Sequence, residues 1–222
     1  GSGKSFAINT MLLLLTQEQG HTILFTRYTL RSANISIIPE FKEKIDLLKL
    51  NHLFYITKDE IINKQSGSKI LFRGIKTSSG DQTANLKSLQ GITTWVMDEA
   101  EELVDESIFD KIDLSVRKKD NDNRIILVLN PATKEHWIYK RFFETSGIDF
   151  KSNTTKGDVT YIHSTYLDNL ENLSDSYLNR IEEIKRSRPN KYKHQILGGW
   201  LEKAEGVIFN NWALGEFKEV NK

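Results

Sequence analysis

No cysteine occurs anywhere in the 222 residues. Disulfides and cysteine-ligated metal are therefore excluded, and the lack is in keeping with an intracellular setting. Neither sign of charge is in excess: 31 Lys and Arg stand against 30 Asp and Glu, a formal net charge of +1. No global basic field advertises a nucleic-acid partner, so any such contact must rest on a local patch. Long apolar runs are missing too. Leu12 to Leu15 is the longest strongly apolar stretch near the start, far short of the ~20 residues that span a bilayer. Nothing resembles a signal peptide, an internal repeat or a low-complexity tract. What is there is a composition ordinary for a soluble globular protein, 38% hydrophobic and 27% charged. The length allows one large domain or two modest ones.

Against that background the segment Gly1-Ser2-Gly3-Lys4-Ser5 is informative. It matches the last five positions of the phosphate-loop pattern G-x-x-x-x-G-K-[ST], whose first glycine would lie upstream of residue 1. Gly/Ser-rich starts also occur as linkers and cloning scars, so the segment needs a partner. If it binds nucleotide, Gly1, Ser2, Gly3, Lys4 and Ser5 form the cradle. Gly3 lets the backbone approach phosphate, Lys4 is a cation for the outer phosphates, and the Ser5 hydroxyl is a magnesium ligand. Phe6 to Leu15 reads as a helix, which puts the Lys4 and Ser5 amides at its positive end.

The partner is Thr93-Thr94-Trp95-Val96-Met97-Asp98-Glu99-Ala100-Glu101-Glu102. An apolar run ending in two acids reads as a buried parallel strand emerging at the sheet edge where ligands bind. Asp98 would share magnesium with Ser5. Glu99, turned the other way by strand alternation, would orient or deprotonate a water attacking the γ-phosphate. Glu101 and Glu102 read as acids favouring the start of a following helix. The two segments together imply ATP and Mg2+ as ligands.

Strands and helices alternate along the rest of the chain, which predicts an α/β fold. His21 to Thr26 reads as a buried strand and Ile35 to Leu50 as helix. Phe54 to Ile56, Ile61-Ile62 and Lys69 to Arg73 read as short strands, with a hairpin turn at Gln65 to Ser68. This predicts an antiparallel insertion beside a mainly parallel sheet. Ser79 to Ser88 reads as loop or short helix. A strand at Arg124 to Leu129 ends at Asn130-Pro131, and a last strand is predicted at Val159 to Thr165. Ser174 is a candidate N-cap for a helix carrying Tyr177, Leu178, Ile181 and Ile184 on one face. The division expected is a P-loop core over residues 1–165 and a small helical subdomain and linker over 166–222. The strand that precedes a phosphate loop in such folds is missing before Gly1. It is expected in the middle of the sheet, between the strands ending at Asp98 and Asn130. Basic clusters at Arg117 to Lys119 and Lys185 to Lys193 read as solvated surface. Trp95, Trp137 and Trp200 read as core, and His163 as structural.

The ordered motifs resemble the ATPase half of a tailed-phage terminase large subunit, of the group related to the defective prophage PBSX. Besides the two segments above they are Phe72-Arg73-Gly74, Lys87 to Gly91, Leu129-Asn130-Pro131, His136 to Phe143, His163 to Asn169 and Leu197 to Trp200. The resemblance implies a P-loop NTPase with Glu99, Lys4 and Asn130 in catalysis. It implies an ATPase that drives double-stranded DNA through a portal protein into a procapsid. A small terminase subunit, a homo-oligomeric ring, the bacterial cytoplasm and no membrane go with it. The family's nuclease half would lie beyond residue 222, so no nuclease activity is assigned. By the resemblance Asn130 couples hydrolysis to movement, although an Asn-Pro turn explains it as well. A basic residue completing a neighbour's site would come from Arg27, Arg31, Arg73 or Lys87. Two rival readings stand: a P-loop small-molecule kinase, and a non-catalytic assembly module. A kinase has no need of a carboxylate directly after the magnesium aspartate.

Overall fold

Buried strands running parallel build the centre of the molecule. The computed structural model describes residues 2–30, 33–77, 80–81, 89–150 and 152–202. Helix α1 (Lys4–Leu15) leads to strand β1 (Thr22–Thr29) and helices α2 (Ala33–Ser36) and α3 (Ile38–Leu47). Strands β2 (Phe54–Ile56), β3 (Glu60–Asn63), β4 (Lys69–Thr77) and β5 (Gly80–Asp81) follow. Then come β6 (Thr94–Asp98), α4 (Glu106–Asp113), β7 (Arg124–Val128), β8 (Thr154–Lys156), β9 (Val159–Tyr161) and α5 (Asp175–Ser187).

The main sheet has the order β2-β3-β4-β1-β6-β7, with β5 against β4. Strands β4, β1, β6 and β7 are parallel, while β2 and β3 pair antiparallel with each other and β3 pairs antiparallel with β4. The expected α/β architecture, a mainly parallel sheet carrying an antiparallel hairpin, is what the chain forms. The hairpin turn holds because the Asn63 carboxamide oxygen accepts from the Gln65 and Ser66 amides, at 2.9 and 3.2 Å.

Every residue of β6 is buried, as a parallel strand covered on both faces requires. Ile23, Phe25, Ile70, Phe72 and Val96 pack with Leu12, Leu13, Phe41 and Ile45 of α1 and α3. Their neighbours Leu24, Leu71, Trp95 and Met97 face the other way, onto Phe109, Ile112, Trp137, Phe143 and Trp200. The alternation of strand side chains thus divides one sheet between two cores. All three tryptophans read as core are buried.

Three expectations need correction. The strands ending at Asp98 and Asn130 leave no slot between them, because Thr94 to Asp98 pair directly with Arg124 to Val128. Among the described residues β7 pairs only with β6 and stands at the end of the strand order. The strand predicted at Val159 to Thr165 ends at Tyr161 and forms a separate two-stranded sheet with β8. Its continuation is diverted when the His163 amide donates to the Asn153 carboxamide at 2.6 Å. The Ile35 to Leu50 helix is broken into α2 and α3, with Pro39 in the first turn of α3, where a missing amide costs nothing.

The segment from residue 166 begins with a capping box. Thr165 accepts from the Leu167 amide, while Asp168 accepts from the Thr165 amide at 2.7 Å. Ser174 caps α5 as expected, accepting from the Tyr177 amide. The segment returns to the core at Trp200, and the Leu201 amide donates to the Ala132 carbonyl at 3.0 Å. No helix among the described residues is long and apolar enough to cross a membrane.

Candidate active site

Parallel pairing brings the C-terminal ends of β1, β6 and β7 to one edge, and the N-terminus of α1 faces them. The resulting cleft, about 390 Å³, is lined by residues 2–6, Arg27, Asp98, Glu99 and residues 128–130. Gly3 precedes α1 in the left-handed region at φ 77°, a conformation open to glycine at no cost. No side chain caps α1 and no acid stands in its first turn. Its first amides are thus free to meet an anion. Gly1, Arg31 and Lys87 lie outside the described residues, as does most of the predicted loop from Ser79 to Ser88.

Lys4 donates to the Asn130 carboxamide oxygen at 3.1 Å, so the lysine that opens α1 and a residue just after β7 meet. Burial lowers the Lys4 pKa, against the attraction of Glu101 and Asp98. Asp98 is buried at the end of β6 and already has a cationic partner. Arg27 Nε and Nη2 both donate to its Oδ2, at 2.8 and 2.7 Å. Burial works against the Arg27 charge, but the hydrogen bonds to Asp98 and the charges of Asp98, Glu99 and Glu40 outweigh it and raise the pKa. A candidate for completing a neighbour's site therefore stands in this chain's own cleft. Arg73 stands apart from the cleft and pairs with Asp59 at 3.3 Å.

Glu99 reaches the cleft by a different route from the one expected. It is not the next residue of an alternating strand but a left-handed turn residue, φ 55° and ψ 46°, leading into a 3₁₀ turn at Ala100–Glu102. The turn leaves its carboxylate on the same side as Asp98, 3.8 Å from Arg27 Nε.

Two contributors escaped the sequence reading. Glu101 does more than favour a helix start: its Oε1 accepts from Asn130 Nδ2 at 3.3 Å. Burial raises its pKa, as does Glu99, although hydrogen bonds from its own amide and from Asn130 act the other way. Asn169, in the capped turn after Thr165, lies against Gly3, its Cγ 3.7 Å from where a Cβ would sit. Neither contact follows any sequence period, since both depend on how turns reverse.

The donor set suits magnesium. No group of three or more metal-binding side chains occurs among the described residues. Magnesium is usually held by one or two carboxylates together with phosphate oxygens and waters. Ser5 and Asp98 line one cleft and are of the types that could supply such a share. A second cleft, about 430 Å³, includes His136 and Arg141. Arg141 is committed there to Glu106 and Asp110, at 3.0 and 2.6 Å.

Comparison with known proteins identifies the family and agrees with the fold. The family model described as phage terminase large subunit matches residues 1–199. The large terminase subunit of Bacillus phage SPP1 is 28% identical over 97% of this chain and 50% of its own length. The PBSX phage terminase large subunit of Bacillus subtilis (strain 168) is 27% identical over 87% of this chain and 46% of its own length. The chain thus spans about half the length of the curated relatives it matches. The large terminase of a thermophilic bacteriophage superposes with a TM-score of 0.68 at 16% identity, over 90% of this chain and 46% of that one. The same terminase in complex with ADP gives 0.63 at 15% identity, over 90% and 46%. The chain belongs to the phage terminase large subunit family.

Proposed function

We propose that this chain is the ATPase motor part of its terminase, hydrolysing ATP to drive double-stranded viral DNA into a procapsid. The observation that carries the reading is the meeting of Lys4, Ser5, Asp98, Glu99 and Asn130 on one cleft at the C-terminal edge of a parallel sheet. Ser5 and Asp98 would hold magnesium, whose charge offsets that of the β- and γ-phosphate oxygens. Lys4 binds the outer phosphates and stabilises charge that develops on them. Glu99 orients the attacking water and takes its proton. The water oxygen bonds to the γ-phosphorus as the bond to the bridging oxygen breaks, and that electron pair leaves with ADP. An acid beside the magnesium aspartate favours water over a small-molecule hydroxyl as acceptor. Asn130, bonded to Lys4 in this structure, reports the lysine's departure toward phosphate and so couples hydrolysis to movement.

The family supports portal protein, small terminase subunit and double-stranded DNA as partners, a ring of subunits as the working state, and the host cytoplasm as the place. The test is the purified protein with Glu99→Gln. Turnover should be lost while ATP still binds, whereas Asp98→Asn should weaken magnesium-nucleotide binding itself and Lys4→Ala should lose both. Near-normal hydrolysis by Glu99→Gln would refute the role given to that carboxylate.

A further inference from the structure

Hydrolysis by Lys4, Ser5, Asp98 and Glu99 gives Glu101 no task, yet its side chain is tied into the cleft. One carboxylate oxygen accepts from Asn130, and the other, Oε2, is buried with no hydrogen-bond partner. A buried acceptor without a donor costs free energy, so stability does not account for an acid here.

Asn130 stands between two groups that each do one thing. The Lys4 ammonium only donates, and the Glu101 carboxylate only accepts. A carboxamide between them satisfies both in a single orientation, Oδ1 toward Lys4 at 3.1 Å and Nδ2 toward Glu101 at 3.3 Å. Without Glu101 only the Lys4 bond itself holds the amide against a flip that would face the lysine with its NH2.

The backbone of the same residue points elsewhere. The Glu101 carbonyl accepts from His136 Nε2 at 3.2 Å, while His136 Nδ1 accepts from the Ile138 amide at 3.2 Å. That second bond places the proton of a neutral ring on Nε2, and burial lowers the His136 pKa against its backbone hydrogen bonds. Two residues on, the Leu103 carbonyl accepts from the Trp137 indole. Residue 101 therefore joins the nucleotide cleft through its side chain to the 136–145 segment through its main chain.

We propose that Glu101 is a positioning residue that holds the Asn130 carboxamide turned to Lys4 and passes the state of that contact to the 136–145 segment. The proposal rests on the coupling role given to Asn130. Kcat and KM for ATP are measured for wild type, Glu101→Ala, Glu101→Gln and Asn130→Ala, with hydrogen exchange of residues 136–145 followed with and without ADP. In Glu101→Ala, kcat should fall about tenfold to a hundredfold, the worth of one hydrogen bond to a charged group, with KM within about threefold since the phosphate contacts stay. The ADP-dependent change in exchange at 136–145 should vanish. Glu101→Gln, which can still offer an oxygen to Asn130, should recover most of both. Normal kcat and an intact exchange response in Glu101→Ala overturn the proposal. So does loss of the folded state or of nucleotide binding in Glu101→Ala, which would make the residue structural. Normal turnover in Asn130→Ala refutes the coupling reading instead, while an impaired Asn130→Ala beside a normal Glu101→Ala refutes this inference alone.

Discussion

Replacing Arg27 with glutamine removes the counter-ion of a buried acid. Arg27 places two nitrogens on one oxygen of Asp98, and the two side chains are only 17% and 10% exposed. Removing one partner of a buried ion pair costs about 3–5 kcal/mol, and the open mouth of the cleft argues for the lower end, about 3 kcal/mol. For a chain of this length each kcal/mol is about 2–4 °C of melting temperature, so Arg27→Gln should melt about 6–12 °C lower in EDTA. Asp98→Asn should also destabilise, by leaving the guanidinium only the longer 3.8 Å contact with Glu99. The double variant, with two neutral amides able to bond each other, should lose less than the sum of the singles, because residues in contact are not additive. Magnesium with ADP supplies the missing positive charge, so it should raise the melting temperature of Arg27→Gln more than that of wild type. Thermal melts of the four proteins, in EDTA and in magnesium-ADP, decide the matter. An Arg27→Gln protein that melts with wild type in EDTA, or a strictly additive double variant, would refute the reasoning.

Two further expectations concern pH and salt. Burial, with some help from Asp149, pushes the Tyr161 phenol up to about 12. Its folded pKa is above the ordinary 10, so the unfolded chain ionises first and stability falls as pH rises from about 10 to about 12. Denaturant melts at pH 9 and 11 should show a shallower loss for Tyr161→Phe, and equal losses would refute the assignment. DNA stimulation of the ATPase should be independent of sequence and fall steeply with salt, as contacts to phosphates predict. Stimulation that tracks a particular sequence and ignores salt would point to base readout instead.

The core was legible because burial writes itself into local patterns. Continuous apolar runs marked β1, β6 and β7, a turn with Gly67 marked the hairpin, and Ser174 marked the start of α5. Strand order was not legible. Nothing in the residues of β6 and β7 says that they pair with each other rather than with a strand between them. Apolar patterning also fails at the end of a strand. The apolar run of β1 stops at Thr26, but the strand continues to Thr29, and those three extra residues bring Arg27 to the cleft. The acids at 98 and 99 were legible as a pair, while the path of Glu101 to Asn130 was not. It depends on a left-handed turn at residue 99 that no period encodes.

That turn sets stability and chemistry against each other at one peptide. A residue with a Cβ in the left-handed region gives up about 1–2 kcal/mol relative to its ordinary conformations, a penalty glycine does not meet. The backbone at position 99 would accordingly be more at ease with an amino acid that has no carboxylate at all. Heat selection acting on this fold alone would drift toward glycine there and lose the acid proposed to activate water. Under the role proposed for it, Glu99 persists against that pull only where something rewards turnover, so its presence there would be a record of work performed rather than of structure kept.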